Sequence, residues 1–361
     1  MTFGPVFHIL NRMDSKRLDK RIEALIEEAA NTSEHGNLLR EVIATVLRLS
    51  ENHVAENDIQ IIHTALKDMR FGFKFFAPYK DIRKVSVFGS ARTKPSESIY
   101  QHSAEFARHI VTKGFMVITG AGDGIMRAAQ EGAGRHNSFG VNIILPFEQT
   151  ANEFIMNDPK LMTFKYFFTR KLFFVKEADA IALFPGGFGT HDEGFESLTL
   201  LQTGKTEPMP IVLIDVPGGT YWKSWLAFIN DELVERGLIS AEDLSLFKVT
   251  DQIETAVSEI ASFYHNYNSS CFFDPQTVIR LHHPVEKTML EQLNDRFSDI
   301  VVRGKIEATG PLPEEERSHE DGLHRIVFDF NQRSFGRFRQ LINMINQYHS
   351  KTEPLNTQGD S

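Results

Sequence analysis

Ala180–Thr203 reads AIALFPGGFGTHDEGFESLTLLQT. Five short or apolar residues, a turn with three glycines, and a run mixing polar and apolar positions describe a strand that leaves through a glycine-rich turn into a helix. Glycines let the backbone approach a ligand closely, and the first amides of the following helix point at whatever anion sits there. A carboxylate at the far end of such a turn, Glu193 with Asp192 and Glu196 nearby, is then out of keeping with a simple phosphate cradle. One local explanation is a capping box: with Thr190 as N-cap, Glu193 would be N3 and reach back to the N-cap amide.

The same strand–turn–helix unit repeats on both sides of this stretch. Strands are expected at KVSVFG, GFMVITG, FGVNIILP, DAIALFPGG, PIVLID and LFKVT, with helices at SESIYQHSAEFARHIVTK, DGIMRAAQEGAG, KYFFTRKLFFVKEA, THDEGFESLTLLQT and GTYWKSWLAFINDELVERG. Such alternation implies right-handed crossovers and a Rossmann-like, doubly wound parallel sheet, an α/β fold covered by helices on both faces. Ligands in these sheets bind at the carboxyl ends of the strands, where the glycine turns fall. The α/β domain is expected over residues 81–265. Before it, residues 1–80 read as an N-terminal helical region (RLDKRIEALIEEAA, NLLREVIATVLRLS and a third helix ending in an aromatic cluster), with Gly36 as a break between the first two. After it, 266–348 follow a β-α-β-β-α order that suggests a small C-terminal α+β appendage, with the acidic loop TGPLPEEERSHEDG as a solvated excursion. Residues 349–361 read as a disordered tail.

Composition narrows the function. With 361 residues, 41% hydrophobic and 24% charged, the chain is long enough for a substantial core and ordinary for a globular protein. It holds no apolar run of membrane-spanning length, and its first residues lack the order of a signal peptide, so no membrane and a cytoplasmic location are expected. A net charge of −9 argues against a broad nucleic-acid surface but leaves room for a small anionic ligand. The single cysteine, Cys271, excludes an internal disulfide and a cysteine-rich metal site and reads as a buried thiol.

Two further turns follow strands: VFGSART, with Gly89 and Ser90, and ITGAGDGIMRAAQ, with Gly120, Gly122, Gly124 and Met126. The second is one position short of the dinucleotide fingerprint and lacks the Gly-Lys-Ser/Thr of a Walker A loop, so each turn alone is equally well a piece of strand-to-helix geometry. Upstream of the third turn, Arg170 and Lys171 stand among Phe167, Phe168, Leu172, Phe173 and Phe174. Aromatics at that density predict a buried helix, in which an Arg-Lys pair needs an anionic partner or a route to solvent. Successive helical residues project about 100° apart, so Asp192 and Glu193 should diverge, while Glu196 shares the face of Glu193.

FFTRK, an apolar strand and PGGFGTHDE together resemble the R-K and P-G-G-x-G-T-x-x-E motifs of the LONELY GUY (LOG) family of nucleoside 5'-monophosphate phosphoribohydrolases, often labelled lysine decarboxylases. Arg170 and Glu193, 23 residues apart, fit the family spacing, and the resemblance covers about 84–265. Two positions depart from the small members: Thr169 and Asp192 stand where those have glutamates. The resemblance implies hydrolysis of the N-glycosidic bond of a nucleoside monophosphate to free base and ribose 5-phosphate. It implies Arg170 and Glu193 as catalytic residues, and Gly89, Ser90, Gly120, Gly122, Met126, Lys171, Gly186, Gly187, Gly189 and Thr190 as substrate-binding residues. No metal and no cofactor are implied; a homodimer or higher homo-oligomer is. The alternatives are a nucleotide-binding sensor on the same fold, whose NQRSFGRFRQ stretch could hold an anion, and a decarboxylase, which needs a lysine placed for a pyridoxal phosphate Schiff base.

Overall fold

The computed structural model describes residues 20–21, 24–25, 35–49, 52, 54–144, 150–313, 315 and 322–352. The chain divides into two compact units, residues 1–71 and 72–361.

In the first unit, α1 (Gly36–Arg48) is amphipathic and opens at Gly36, the glycine expected ahead of this helix. The helix expected over RLDKRIEALIEEAA lies, apart from residues 20–21 and 24–25, outside the described residues. Helix α2 (Glu56–Phe76) starts with Glu56 and Asp58, where negative charge suits the helix dipole.

The second unit is built on a parallel sheet of seven strands: β1 (Lys84–Phe88), β2 (Met116–Thr119), β3 (Ser138–Ile143), β4 (Leu161–Phe164), β5 (Ala180–Leu183), β6 (Ile211–Ile214) and β7 (Phe247–Thr250), in the order β4-β3-β2-β1-β5-β6-β7. Short apolar strands buried on both faces are what such a sheet requires. Alternate residues of β1, β5 and β6 feed two cores. Ile181 and Leu183 face one core with Phe173 and Phe174 of α5 (Phe167–Lys176) and Leu201 of α6 (Phe188–Gln202). Ala180 and Ala182 face the other, with Phe106 of α3 (Ser98–Thr112), Ile125 of α4 (Ile125–Ala133) and Ile260 of α8 (Ile253–Phe263). The sheet is doubly wound, a Rossmann-like α/β fold. One strand of this sheet went unforeseen: β4 is an edge strand of only four residues, LMTF, too short to show a period of its own, and it pairs with β3. Helix α7 (Tyr221–Phe228) follows β6.

Beyond α8 lies a second, antiparallel sheet of β8 (Tyr267–Phe273), β9 (Gln276–Leu281), β10 (Glu307–Thr309) and β11 (His324–Phe328), in the order β10-β11-β9-β8. Helices α9 (Lys287–Phe297) and α10 (Phe335–Thr352) close its core through Leu293, Phe297, Phe338 and Leu341. The first strand of this sheet, YNSSCFF, escapes a sequence reading because its polar centre masks the period of two; Cys271 on it is half-buried instead of buried. Helix α10 runs into the stretch expected to be a tail, and residues 353–361 lie outside the described residues. The acidic loop holds a correction. Glu315 is not solvated: its side chain is 4% exposed and bridges Arg280 at 2.7 Å and Arg325 at 2.9 Å.

Candidate active site

The strand order fixes where a cleft can open. β1 and β5 are neighbours, yet β1 runs into α3 on one face and β5 into α6 on the other, so the chain parts at their carboxyl ends. Three glycine turns meet there. The Ser90 amide donates to Pro185 O at 3.1 Å, and the Ile125 amide donates to Ser90 O at 3.0 Å, which ties the first turn to both others. Glycine is needed at two of these crossings. A side chain on Gly186 would run into Thr190 and the Ser90 amide, and Gly124, at φ +66°, lies against Ser90 O.

The result is a cleft of about 810 Å³. Nine of the residues expected from sequence line it: Gly89, Ser90, Met126, Arg170, Gly186, Gly187, Gly189, Thr190 and Glu193. Three do not. Gly120 lies behind the wall, where its missing side chain leaves room for the Arg170 guanidinium and for Met126 Sδ. Gly122 offers its carbonyl to Asn152 Nδ2 at 2.9 Å, on the side away from the cleft. Lys171 turns instead to three carboxylates, with Nζ 2.6 Å from Glu196, 2.9 Å from Asp192 and 3.3 Å from Glu193. Asp192 and Glu193 were expected to diverge along the helix, and a lysine from the neighbouring helix gathers them nonetheless.

Helix α6 starts earlier than the capping reading assumed. Gly187 is the N-cap, its carbonyl accepting from the Thr190 amide at 3.0 Å and the His191 amide at 3.3 Å, so Thr190 lies inside the first turn and no side chain caps the helix. The T-x-x-E capping box therefore does not form, because the extended conformation that an N-cap needs sits at Gly187, three residues earlier. Glu193 is left without a structural duty at the helix end. The amides of Phe188 and Gly189, in the first turn, have no intrahelical acceptor and border the cleft.

Glu193 is 9% exposed. Burial pushes its carboxyl above the usual glutamate range, against the pull of Lys171. Its Oε2 makes no well-directed hydrogen bond with any described residue, the contact to Lys171 being an ion pair at 3.3 Å. Arg170 lies 5.0 Å over the Phe174 ring and 5.9 Å over that of Phe167, and its Nε is buried with no acceptor among the described residues. Burial brings this guanidinium down to about 10, with Glu193 acting the other way; it stays charged at neutral pH. A buried donor or acceptor without a partner costs about 1–3 kcal/mol, so the unpaired Arg170 Nε beside a carboxylate held only by a 3.3 Å ion pair marks a place suited to a ligand.

The helix carrying Arg170 is less buried than its aromatics suggested. Phe173 and Phe174 enter the core, but Phe167 and Phe168 are each 55% exposed at its start, and Phe188 on the third turn is 97% exposed. Sequence reasoning also missed residues that hold the turns. Tyr221 Oη donates to Gly186 O at 2.5 Å and meets His191 Nε2 at 2.7 Å. The Asn152 side chain reaches Ala121 O, Gly122 O and Gln130 Oε1 at 3.1, 2.9 and 2.6 Å. Ala121 sits at φ +61°, a conformation that this brace helps to hold. Neither residue has a local signature, since each acts on a turn many positions away.

Residues 123–260 match the protein family described as "Possible lysine decarboxylase". Over 166 residues the chain is 31% identical to the cytokinin riboside 5'-monophosphate phosphoribohydrolase LOG3 of Arabidopsis thaliana, an alignment covering 44% of this chain and 72% of that one. Over 167 residues it is 31% identical to LOG7 of the same plant, covering 44% and 71%. A solved molybdenum cofactor carrier protein from Chlamydomonas reinhardtii aligns with 49% of this chain and 94% of its own at 19% identity and a TM-score of 0.33. By its likeness to these plant phosphoribohydrolases, the chain belongs to the LOG family.

Proposed function

We propose that the protein hydrolyses the N-glycosidic bond of nucleoside 5'-monophosphates, releasing the base and ribose 5-phosphate. The observation that carries this reading is the pairing, in one cleft, of a buried arginine whose Nε has no acceptor among the described residues and a buried glutamate held only by an ion pair to Lys171, beside a glycine turn at a helix start. Family membership supports phosphoribohydrolase chemistry; the substrate range is the proposal's own.

Each part has a physical task. The free amides of the PGGFGT turn and the Thr190 hydroxyl bind the 5'-phosphate, so that remote binding energy positions the sugar. Water oxygen forms a bond to C1' as the C1'–N bond breaks, and the bonding pair leaves with the base, which takes up a proton from solvent. Positive charge builds on the ribose in the transition state. The Glu193 carboxylate stabilises that charge and accepts the proton that the attacking water loses. Arg170, charged and clamped between aromatic faces, holds the nucleotide by hydrogen bonds.

Glu193→Gln tests the reading directly. Because Glu193 caps nothing, the variant is expected to fold and to bind AMP within a few-fold of the wild type. Base release followed by chromatography is expected to fall by about 10²–10⁴-fold, the usual contribution of a positioned acid or base. Turnover at the wild-type rate would sink the assignment. Absence of base release by the wild type across purine and pyrimidine monophosphates would favour a nucleotide sensor instead. In that reading NQRSFGRFRQ was a candidate anion site, but Arg337 is engaged by Asp299 at 2.8 Å and Arg339 by Glu259 at 2.6 Å. A decarboxylase is disfavoured because no lysine lines the cleft among the described residues.

A further inference from the structure

Lys84, the first residue of β1, is 3% exposed. Its ammonium carries three protons, and the described protein supplies one acceptor, Ile82 O at 2.8 Å, with no carboxylate in ion-pair range. A buried ammonium is costly unless paired, so its two remaining protons call for an anion that the chain does not provide. Lys84 lies at the floor of a cleft of about 750 Å³ at the amino edge of the sheet. This cleft shares no lining residue with the candidate active site.

Around Lys84 the charge is unbalanced. Arg83 is pinned face-on, 3.5 Å from the Tyr264 ring, and spends one bond on Asp179 at 3.2 Å. Asp179 in turn accepts the Lys84 backbone amide at 2.8 Å, so it is occupied as well. Lys80 and Lys205 stand exposed at the rim, with no carboxylate within ion-pair reach among the described residues. The lining also carries Glu177, Glu196 and Glu207, but Lys176 pairs with Glu177 at 2.7 Å and Lys171 with Glu196 at 2.6 Å. In a chain of net charge −9, the excess of Lys80, Lys84 and Lys205 over the remaining acid is a local exception. Leu172, Val175 and Met209 add apolar surface to the same lining.

We propose that this cleft is a second ligand site, built for a small organic phosphate whose phosphate group meets Lys84, Arg83, Lys80 and Lys205 and whose carbon body lies on Leu172, Val175 and Met209. The phosphate supplies the acceptors that Lys84 lacks, and charge-assisted bonds to a buried ammonium are the stronger kind. The apolar surface explains why an organic phosphate fits better than free phosphate.

The test uses the full chain carrying Gly189→Asp, whose carboxylate stands in open space at the glycine turn and keeps phosphate out of the candidate active cleft, and titrates it calorimetrically with phenyl phosphate and with inorganic phosphate. One saturable site per chain is expected, with phenyl phosphate the tighter ligand. Adding Lys84→Met is expected to weaken it by about tenfold or more, the loss of one charge-assisted bond. Since a buried substitution can disturb folding, Lys80→Ala with Lys205→Ala, both at exposed positions, provides a second reading and is expected to lower affinity as well. Binding that survives both sets of changes, or no binding at all, would overturn the site; equal affinity for the two probes would overturn the organic class of ligand. Base release enters none of these measurements, so the hydrolase reading and this one can fail separately.

Discussion

At the scale of single residues, the ionisation of Glu193 is set by a contest between burial and Lys171. Burial favours the neutral acid and dominates; Lys171, ion-paired to the same carboxylate, opposes it. If the carboxylate is the working form, activity is lost as pH falls through the raised value, so the acid limb of kcat/KM for AMP is expected above the ordinary glutamate range of about 4.3. Lys171→Met removes the opposing charge, and the limb is then expected to move to higher pH. A limb that stays in place or moves down would show that Lys171 does not tune Glu193. Gly120 invites a second test at this scale. Its φ is not in the left-handed region, so alanine is tolerated by the backbone, but the added methyl occupies the space of the Arg170 guanidinium and Met126 Sδ. Gly120→Ala is expected to lower kcat/KM by about tenfold or more while the melting temperature moves by no more than about 2 °C, readable by steady-state kinetics and thermal unfolding.

At the scale of elements, the meeting of three glycine turns was legible because each turn follows a strand, and strands of a parallel sheet present their carboxyl ends on one edge. What holds the turns was not legible. Tyr221 opens α7 and Asn152 lies between β3 and β4 in the chain, and neither position betrays that it will brace a turn in another crossover. The role of Lys171 was hidden for a related reason: its partners lie on α6, and only the packing of α5 beside α6 decides whether an arginine or a lysine faces the cleft. The misplaced cap at Thr190 shows the limit of a four-residue pattern when a glycine just upstream can take the N-cap conformation instead. Tyr221→Phe deletes the bond to Gly186 O with little change of shape. It is expected to raise KM for AMP by about three- to tenfold, the worth of one hydrogen bond, with a smaller effect on kcat. An unchanged KM would mean that the turn holds its position without the tyrosine.

At the scale of the whole molecule, the second sheet is tied together by a charged cluster that composition disguised as a solvent loop. Burial works against ionisation of Glu315, yet the Leu312 amide, Arg280 and Arg325 hold its carboxyl below the usual range. Its contribution is therefore complete above the unfolded glutamate value and is lost as pH falls through the lower folded one. Glu315→Gln leaves two arginines without their anion and is expected to cost about 2–4 kcal/mol near pH 7 by denaturant unfolding. The gap between variant and wild type should narrow in acid; a constant gap from pH 7 to pH 3 would contradict the ion-pair account. The alternation of strands and helices made the large sheet readable at this scale, whereas β10, three residues long, and β4, at the sheet edge, are held by their neighbours more than by their own composition.

The Tyr221 hydroxyl has one hydrogen, and it is committed to Gly186 O. The contact between Tyr221 and His191 must then draw its hydrogen from His191 Nε2, which fixes the tautomer of the neutral ring and leaves Nδ1 as a lone pair. His191 lines the cleft beside Asp192 and Glu193, so on the proposed function its lone pair adds to an acceptor side that would repel phosphate oxygen and suit a ribose hydroxyl, opposite in character to the amides and the guanidinium.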